Sequence, residues 1–293
     1  ISIMRGCDKF CTFCIVPFTR GRERSRSINS IVDEARNAVS NGFCEITLLG
    51  QNVNSFTTPD GAFPELLEAI ANVDGVKRIR YTSPHPQDMT DELLYVMKKH
   101  ENICNYIHLP LQAGSNSILK RMNRTYTRQD FMHLVSKINE ILPGCSISTD
   151  IIVGFPGETE EQFQETLEVV NNVKFNSAFM FKYSSRPGTK AAEYDDQIEE
   201  SIKQDRLERL IELQRKNTLD INKELVGGKV KVLIEKNSKK SDNQWAGRTD
   251  GNTWVIFEKN GETIKDIVDV EICDAKGVTL FGNKIKEKIH EAA

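Results

Sequence analysis

Residues 145–173, CSISTDIIVGFPGETEEQFQETLEVVNNV, join two different periods in one stretch. From Cys145 to Gly154 the run is short, apolar and β-branched, which is the composition of a buried strand. From Thr159 onward it turns amphipathic, and Thr159 with Gln162 three places later has the form of a capping box. Between them, Gly154-Phe155-Pro156-Gly157 reads as a strand-to-helix turn. The stretch is therefore one strand–helix unit, and the same unit recurs on both sides of it.

Upstream, ISIMRG is a strand candidate at residue 1. A helix is expected from Ser27 or Asn29, with Ile31, Val32, Ala35, Ala38 and Val39 at helical spacing and an end at Asn41-Gly42. FCEITLLG and PELLEAIANV, VKRIRYTS and DELLYVMKKH, then ICNYIHLP and a helical stretch from Ser117 to Leu142 continue the pattern. SAFMFKYS supplies a sixth strand. Six such units with right-handed crossovers predict a parallel sheet curved into a partial TIM-like barrel, a (βα)6 α/β fold.

Gln197 to Leu225 reads as a long charged helix bridging to a second region, with Leu207, Leu210, Ile211 and Gln214 on one side. Gly227-Gly228 breaks it, and the period changes to two. KVKVLIEK, WAGRTDG, TWVIFE, DIVDVEICDA and GVTLFG predict a small antiparallel β-barrel. The expected divisions are 1–216 for the partial barrel with its bridging helix, 217–282 for the small barrel and 283–293 for a tail that is helical or frayed.

No apolar run approaches the roughly 20 residues of a membrane span, and the first residues lack an export signal. The sequence starts without Met in what reads as mid-strand, so a piece cut from a longer protein is expected. Seven cysteines, an odd number, do not suggest a disulfide framework, and a reducing, cytoplasmic setting fits them. Cys44, Cys104, Cys145 and Cys273 read as small buried hydrophobes.

The net charge of -3 argues against nucleic acid, but its distribution does not. Residues 1–30 carry Arg5, Lys9, Arg20, Arg22, Arg24 and Arg26 against Asp8 and Glu23, a local +4. In TRGRERSRS the arginines fall on alternate residues, so an extended segment would line one edge with cations facing an anionic substrate.

That charge flanks Cys7, Cys11 and Cys14. A structural zinc would need a fourth ligand, and the nearest are Cys44 in a predicted strand or the more distant His85. A [4Fe–4S] cluster takes three thiolates and leaves one iron open for chemistry, which accounts for the count directly. A loop after the first barrel strand also lies on the face where barrel active sites sit. Phe13, between the last two cysteines, can shield the cluster.

The CxxxCxxC spacing with an aromatic before the last Cys resembles the radical S-adenosylmethionine (SAM) enzymes. IMRGCDKFCTFCIVPFTRGRERSR, LLGQNVNSF, SPHP, IHLPLQAGS, MNRTYTR, TDIIVGFPGET and YSSRPGTKAA together resemble their methylthiotransferase branch, and the C-terminal barrel resembles a TRAM domain, an RNA-binding module. The resemblance implies that Cys7, Cys11 and Cys14 hold the cluster and that its open iron chelates SAM, whose cleavage yields a 5'-deoxyadenosyl radical. It places Gly50, Gln51 and Asn52 at the end of the second strand beside the SAM amino group, and Gln112 and Ser115 after the fourth. Asp150, ending the fifth strand, would accept from a ribose hydroxyl, and Gly154 and Gly157 would admit the adenine. Arg186 and Arg124 would meet the SAM carboxylate or an RNA phosphate. Arg20, Arg22, Arg24 and Arg26 would face the phosphates of a tRNA anticodon stem-loop. In the small barrel, Lys236, Lys239, Lys240 and Arg248 would form a patch, with Trp245, Trp254 and Phe257 as stacking platforms.

The implied reaction is methylthiolation at C2 of N6-isopentenyladenosine beside the anticodon, with electrons from a flavodoxin or ferredoxin. The family carries a second [4Fe–4S] cluster on an N-terminal domain that this sequence lacks, so cluster binding and SAM cleavage are expected without the full reaction. The alternatives are a threonylcarbamoyl-adenosine tRNA or a ribosomal-protein aspartate as substrate, or a zinc-containing RNA-binding module without catalysis.

Overall fold

The computed structural model describes residues 1–285. Six strands run parallel in chain order: β1 (Met4–Arg5), β2 (Glu45–Leu48), β3 (Arg78–Tyr81), β4 (Tyr106–His108), β5 (Ser146–Val153) and β6 (Ser177–Lys182). Regular pairing joins β2 to β3 and β4 to β5 to β6. Single bridges at Ser2–Leu49 and Ile79–Ile103 carry the order across the two remaining gaps. The helices are α1 (Val16–Arg20), α2 (Ile28–Ser40), α3 (Phe63–Ala71), α4 (Asp91–Lys99), α5 (Asn116–Arg121), α6 (Arg128–Ile141), α7 (Glu160–Val173) and α8 (Glu200–Glu224). This is the expected partial barrel.

Strand parity explains its two faces. Ile46, Leu48, Ile79, Ile107, Ile147, Ile151 and Val153 are buried with Ile31, Leu66, Leu94, Ile138, Phe163 and Val170 of the helices in one core. The alternate residues are mostly polar: Glu45, Arg78 and Arg80, Tyr106 and His108, Ser148 and Asp150. Register pairs Glu45 with Arg78, His108 with Ser148, and Asp150 with Phe179. A barrel wall that turns polar side chains away from the helices is suited to a polar ligand rather than to packing.

Local signals hold where local chemistry decides. Ser27 caps α2, Asn41 ends it, and Thr159 and Gln162 form the capping box of α7. The expected helix from Ser117 to Leu142 is instead two. Asn123 adopts φ 58 after α5, and Thr127 starts α6 with its own capping box to Asp130. The left-handed turn is held from outside the segment: Asn123 Nδ2 donates to Phe10 O at 2.9 Å.

The chain divides into two compact units, Ile1–Gln214 and the part from Arg215 onward, and the division falls within α8. In the first unit Leu207 and Leu210 join the core, and Gln214 donates to Phe175 O at 2.7 Å. The second unit is a closed five-stranded barrel of β7 (Lys229–Asn237), β8 (Gln244–Thr249), β9 (Trp254–Glu258), β10 (Ile267–Lys276) and β11 (Thr279–Lys284), in the order β7-β8-β9-β11-β10. Its pairings are antiparallel except β9–β11, which is parallel because β11 turns back from β10 to insert beside β9. Residues 283 and 284, expected in the tail, belong to β11. The rest of that tail, from residue 286, lies outside the described residues. No described helix is long and apolar enough to cross a membrane.

Candidate functional site

The cysteine loop follows β1, and its backbone is fixed at both ends. Gly6 (φ 84) permits the turn: a Cβ there would run into the carbonyl of Arg22. Cys7 N donates to Gly21 O at 3.2 Å, and Cys14 N to Cys11 O at 3.0 Å. All three cysteines are half-buried. Burial pushes the Cys7 thiol up to about 11, with Glu23, Cys11 and Cys14 adding repulsion. Burial also raises Cys14, against the pull of Arg186 and Arg124. Three thiolates packed here therefore call for a compensating cationic centre.

A second segment holds the loop from outside. Thr12 N donates to Met122 O at 3.0 Å and its hydroxyl to Arg121 O at 2.8 Å. Arg124 Nη1 donates to Cys11 Sγ at 3.4 Å. On the other side Lys9 pairs with Asp88 at 2.8 Å. Among the described residues no three His, Cys, Asp or Glu side chains are arranged to hold one ion. Three thiols on one eight-residue loop are the kind of donor set that a [4Fe–4S] cluster takes.

The strand-end residues gather near this loop in part. Gln51 Oε1 accepts the Gly6 amide at 2.6 Å. Asn52 is buried and donates to Asp88 at 2.8 Å. Gly50 is close-packed, since a Cβ there would meet Met4 at 2.7 Å. Gln112 is buried at φ 70, and Ser115 is the buried N-cap residue of α5. Asn52 Oδ1 and Gln112 Oε1 are buried acceptors with no hydrogen-bond partner among the described residues. Phe13 packs half-buried against the main core.

Asp150 does not end β5; the strand runs three residues further, to Val153, because Ile151 and Val153 stay in the core. Its carboxylate belongs to a chain of contacts on the polar face. His108 Nε2 lies 3.4 Å from Asp150 Oδ1, His108 Nδ1 lies 2.9 Å from Ser148 Oγ, and Tyr106 Oη lies 2.6 Å from the same oxygen. Phe179, exposed on β6, stands edge-on to His108 at 5.8 Å. Tyr106, His108, Ser148 and Phe179 were not singled out from the sequence, although their alternation with Ile107 and Ile147 marks that face. Gly154 (φ 67) donates its amide to Glu158 at 2.6 Å, and Gly157 has φ 75. Burial raises Glu158 to about 7 despite Arg206 at 2.9 Å.

The alternating arginines do not line one edge. Arg20 ends α1, and Gly21 (φ 76) turns the chain before Arg24 enters a two-residue strand paired with β1. Arg22 grips Asp8 at 2.6 and 3.0 Å, and Arg26 pairs with Glu34 at 2.6 Å. Arg20 and Arg24 are exposed. Arg186 is exposed too, near enough to act on Cys14. Arg124, by contrast, is half-buried and its guanidinium is taken up by Cys11, Pro110 and Tyr126.

In the second unit Trp245 and Phe257 are core residues, because their strand parity turns them into the barrel. Trp254 is half-buried, with Lys236 Nζ 4.4 Å and Arg248 5.2 Å from its ring. Arg248 is held by Glu235 at 2.6 Å. Lys239 and Lys240 are exposed.

Residues 1–170 match the Radical SAM superfamily and residues 223–285 the TRAM domain. A tRNA-2-methylthio-N(6)-dimethylallyladenosine synthase of Acetivibrio thermocellus is 47% identical over 98% of this chain and 60% of its own length. One of the same name from Porphyromonas gingivalis is 48% identical over 99% of this chain and 64% of its own. The chain thus spans less than two thirds of either relative. A radical S-adenosylmethionine methyltransferase of Kitasatospora setae, solved with cobalamin and a [4Fe–4S] cluster bound, matches in fold at TM-score 0.55 and 18% identity, over 66% of this chain and 38% of that one.

Proposed function

We propose, from the premise that this chain belongs to the radical SAM superfamily, that it is the cluster- and SAM-binding part of an enzyme that methylthiolates C2 of N6-isopentenyladenosine beside the anticodon of tRNA. The observation that carries the reading is the Cys7–Cys11–Cys14 loop, pinned at the end of β1 by Gln51 and by residues 121–124. The name shared by the relatives supports the substrate.

When bound, a [4Fe–4S] cluster with one open iron and SAM supply a 5'-deoxyadenosyl radical for hydrogen abstraction. The chain's own residues place the partners. The orphaned oxygens of Asn52 and Gln112 suit the amino group of SAM, and Asp150, with His108 Nε2 3.4 Å from its carboxylate, suits a ribose hydroxyl. The polar face of β2 to β6 would take the unstacked nucleotide, with Phe179 beside it. Arg20 and Arg24 are the exposed cations for RNA phosphates near the loop, with Arg186 for phosphate or the SAM carboxylate. Lys236, Lys239 and Trp254 would serve the TRAM barrel. We assign the transferred sulfur to a second [4Fe–4S] cluster on an N-terminal domain, electrons to a flavodoxin or ferredoxin, and the setting to the cytoplasm.

Anaerobic reconstitution with iron and sulfide, followed by dithionite and SAM, tests the reading. The wild type should release 5'-deoxyadenosine, and a Cys7→Ala/Cys11→Ala/Cys14→Ala variant should not. Equal release from both overturns it. A methylthiolated RNA made by this chain alone overturns the assignment of the sulfur to a second cluster.

A further inference from the structure

Arg124 is one of the arginines expected to meet a phosphate, yet its guanidinium bonds to the cysteine loop. Nη1 donates to Cys11 Sγ at 3.4 Å, Nη2 to Pro110 O at 3.3 Å and Nε to Tyr126 Oη at 3.0 Å. The guanidinium also lies over the Tyr126 ring at 5.1 Å. Tyr126 is itself immobilised, since it is buried and its hydroxyl lies 2.9 Å from both Pro110 O and Leu111 O. The left-handed turn at Asn123, tied to Phe10 O, aims Arg124 at the loop. Three hydrogen bonds thus hold the half-buried cation at the sulfur rather than toward solvent.

We propose that Arg124 is a positioning residue that sets the reduction potential of the cluster through Cys11. The inference rests on the reading that Cys7, Cys11 and Cys14 hold that cluster. A one-electron reduction adds negative charge to the cluster and its thiolates. A fixed cationic N–H donor on one thiolate stabilises the reduced form more than the oxidised one, so it raises the potential. Arginine suits this task because it stays charged and its planar fork can bond to sulfur, carbonyl and phenol at once. The same geometry explains why an arginine in a motif beside the site is withheld from substrate.

The test is an EPR-monitored redox titration of the anaerobically reconstituted wild type, R124K and R124M, with iron content measured on each. R124M should shift the one-electron equilibrium toward the oxidised cluster by about tenfold, which is ~59 mV. R124K, keeping the charge but losing the fork, should fall between. Should R124M fail to hold a cluster, R124K against wild type gives the same comparison. A wild type that takes up no cluster overturns the reading of the loop and this inference with it. A loaded wild type and loaded variant with equal potentials overturn this inference alone. Failure of both variants to load, with unchanged circular dichroism, overturns it as well and leaves Arg124 a structural clamp.

Discussion

Gln51 Oε1 accepts the amide of Gly6 at 2.6 Å, so the segment after β2 is tied to the residue before Cys7. Replacing Gln51 by Leu leaves a half-buried donor without its partner, a cost of about 1–3 kcal/mol. Q51L should lower the denaturant midpoint and the iron retained after reconstitution, whereas Q51E keeps the acceptor and should retain more. Equal iron in both variants would show that the bond does not hold the loop.

Gly6 itself admits no side chain. At φ 84 an L-residue is strained by about 1–3 kcal/mol, and the Cβ would strike the Arg22 carbonyl beside the short strand paired with β1. G6A should lose cluster capacity together with stability. G261A, also at positive φ (88) but with no atom within 4 Å of the new Cβ, should lose only the strain. Thermal unfolding of the two variants compares clash with strain directly, and equal losses would remove the clash from the account.

His85 should make stability depend on pH. It is buried, its Nδ1 accepts the Gln87 amide at 3.2 Å, and its ring lies 5.7 Å from that of Tyr126. Burial first, then the positive charges of Arg124 and Lys9, press it from 6.5 down to about 2. The unfolded chain takes up a proton below pH 6.5 and the folded chain does not, so the contribution is complete above 6.5 and is lost as pH falls. The slope is about 1.4 kcal/mol per pH unit. Urea midpoints between pH 7.5 and 5 should fall less steeply in H85N, which keeps an acceptor for the Gln87 amide. Parallel profiles for the two proteins would sink the prediction.

Local pattern carried the alternation of strands and helices, the capping box of Thr159 and Gln162, and the three-cysteine loop, because each is decided within a few residues. The break at Asn123 was not legible, since its left-handed turn is stabilised by a backbone oxygen 113 positions away. The arginine run misled for a related reason: Gly21 turns the chain, and Asp8 and Glu34 take two of the cations. Tyr106, His108, Ser148 and Asp150 sit between apolar residues of strict alternation, so their common face could be read. What joins them is register between strands, which no single segment encodes.

The pairing of Asp150 with His108 bears on SAM. A hydroxyl held by a carboxylate is worth about 1.5–3 kcal/mol, so D150A should weaken SAM binding roughly 10- to 100-fold while iron content stays unchanged. D150N, with one acceptor oxygen left, should lose less. Calorimetric titration of the reconstituted protein with SAM reads both, and an unchanged affinity in D150A would remove Asp150 from the site.

Trp254 tests the small barrel. It is half-buried on β9 and flanked by Lys236 at 4.4 Å and by Arg248, which Glu235 already holds. A base stacked on it would contribute about 1–3 kcal/mol, so W254A should weaken anticodon stem-loop binding by about tenfold or more. K236A removes an exposed cation instead, and should flatten the slope of log affinity against log salt by about one. Neither change touches the core formed by Val255, Phe257 and Leu280, so circular dichroism of the barrel should be unaltered. If both variants bind the stem-loop as the wild type does at every salt concentration, the RNA lies on another face of the barrel, and the exposed Lys239 and Lys240 become the residues to change.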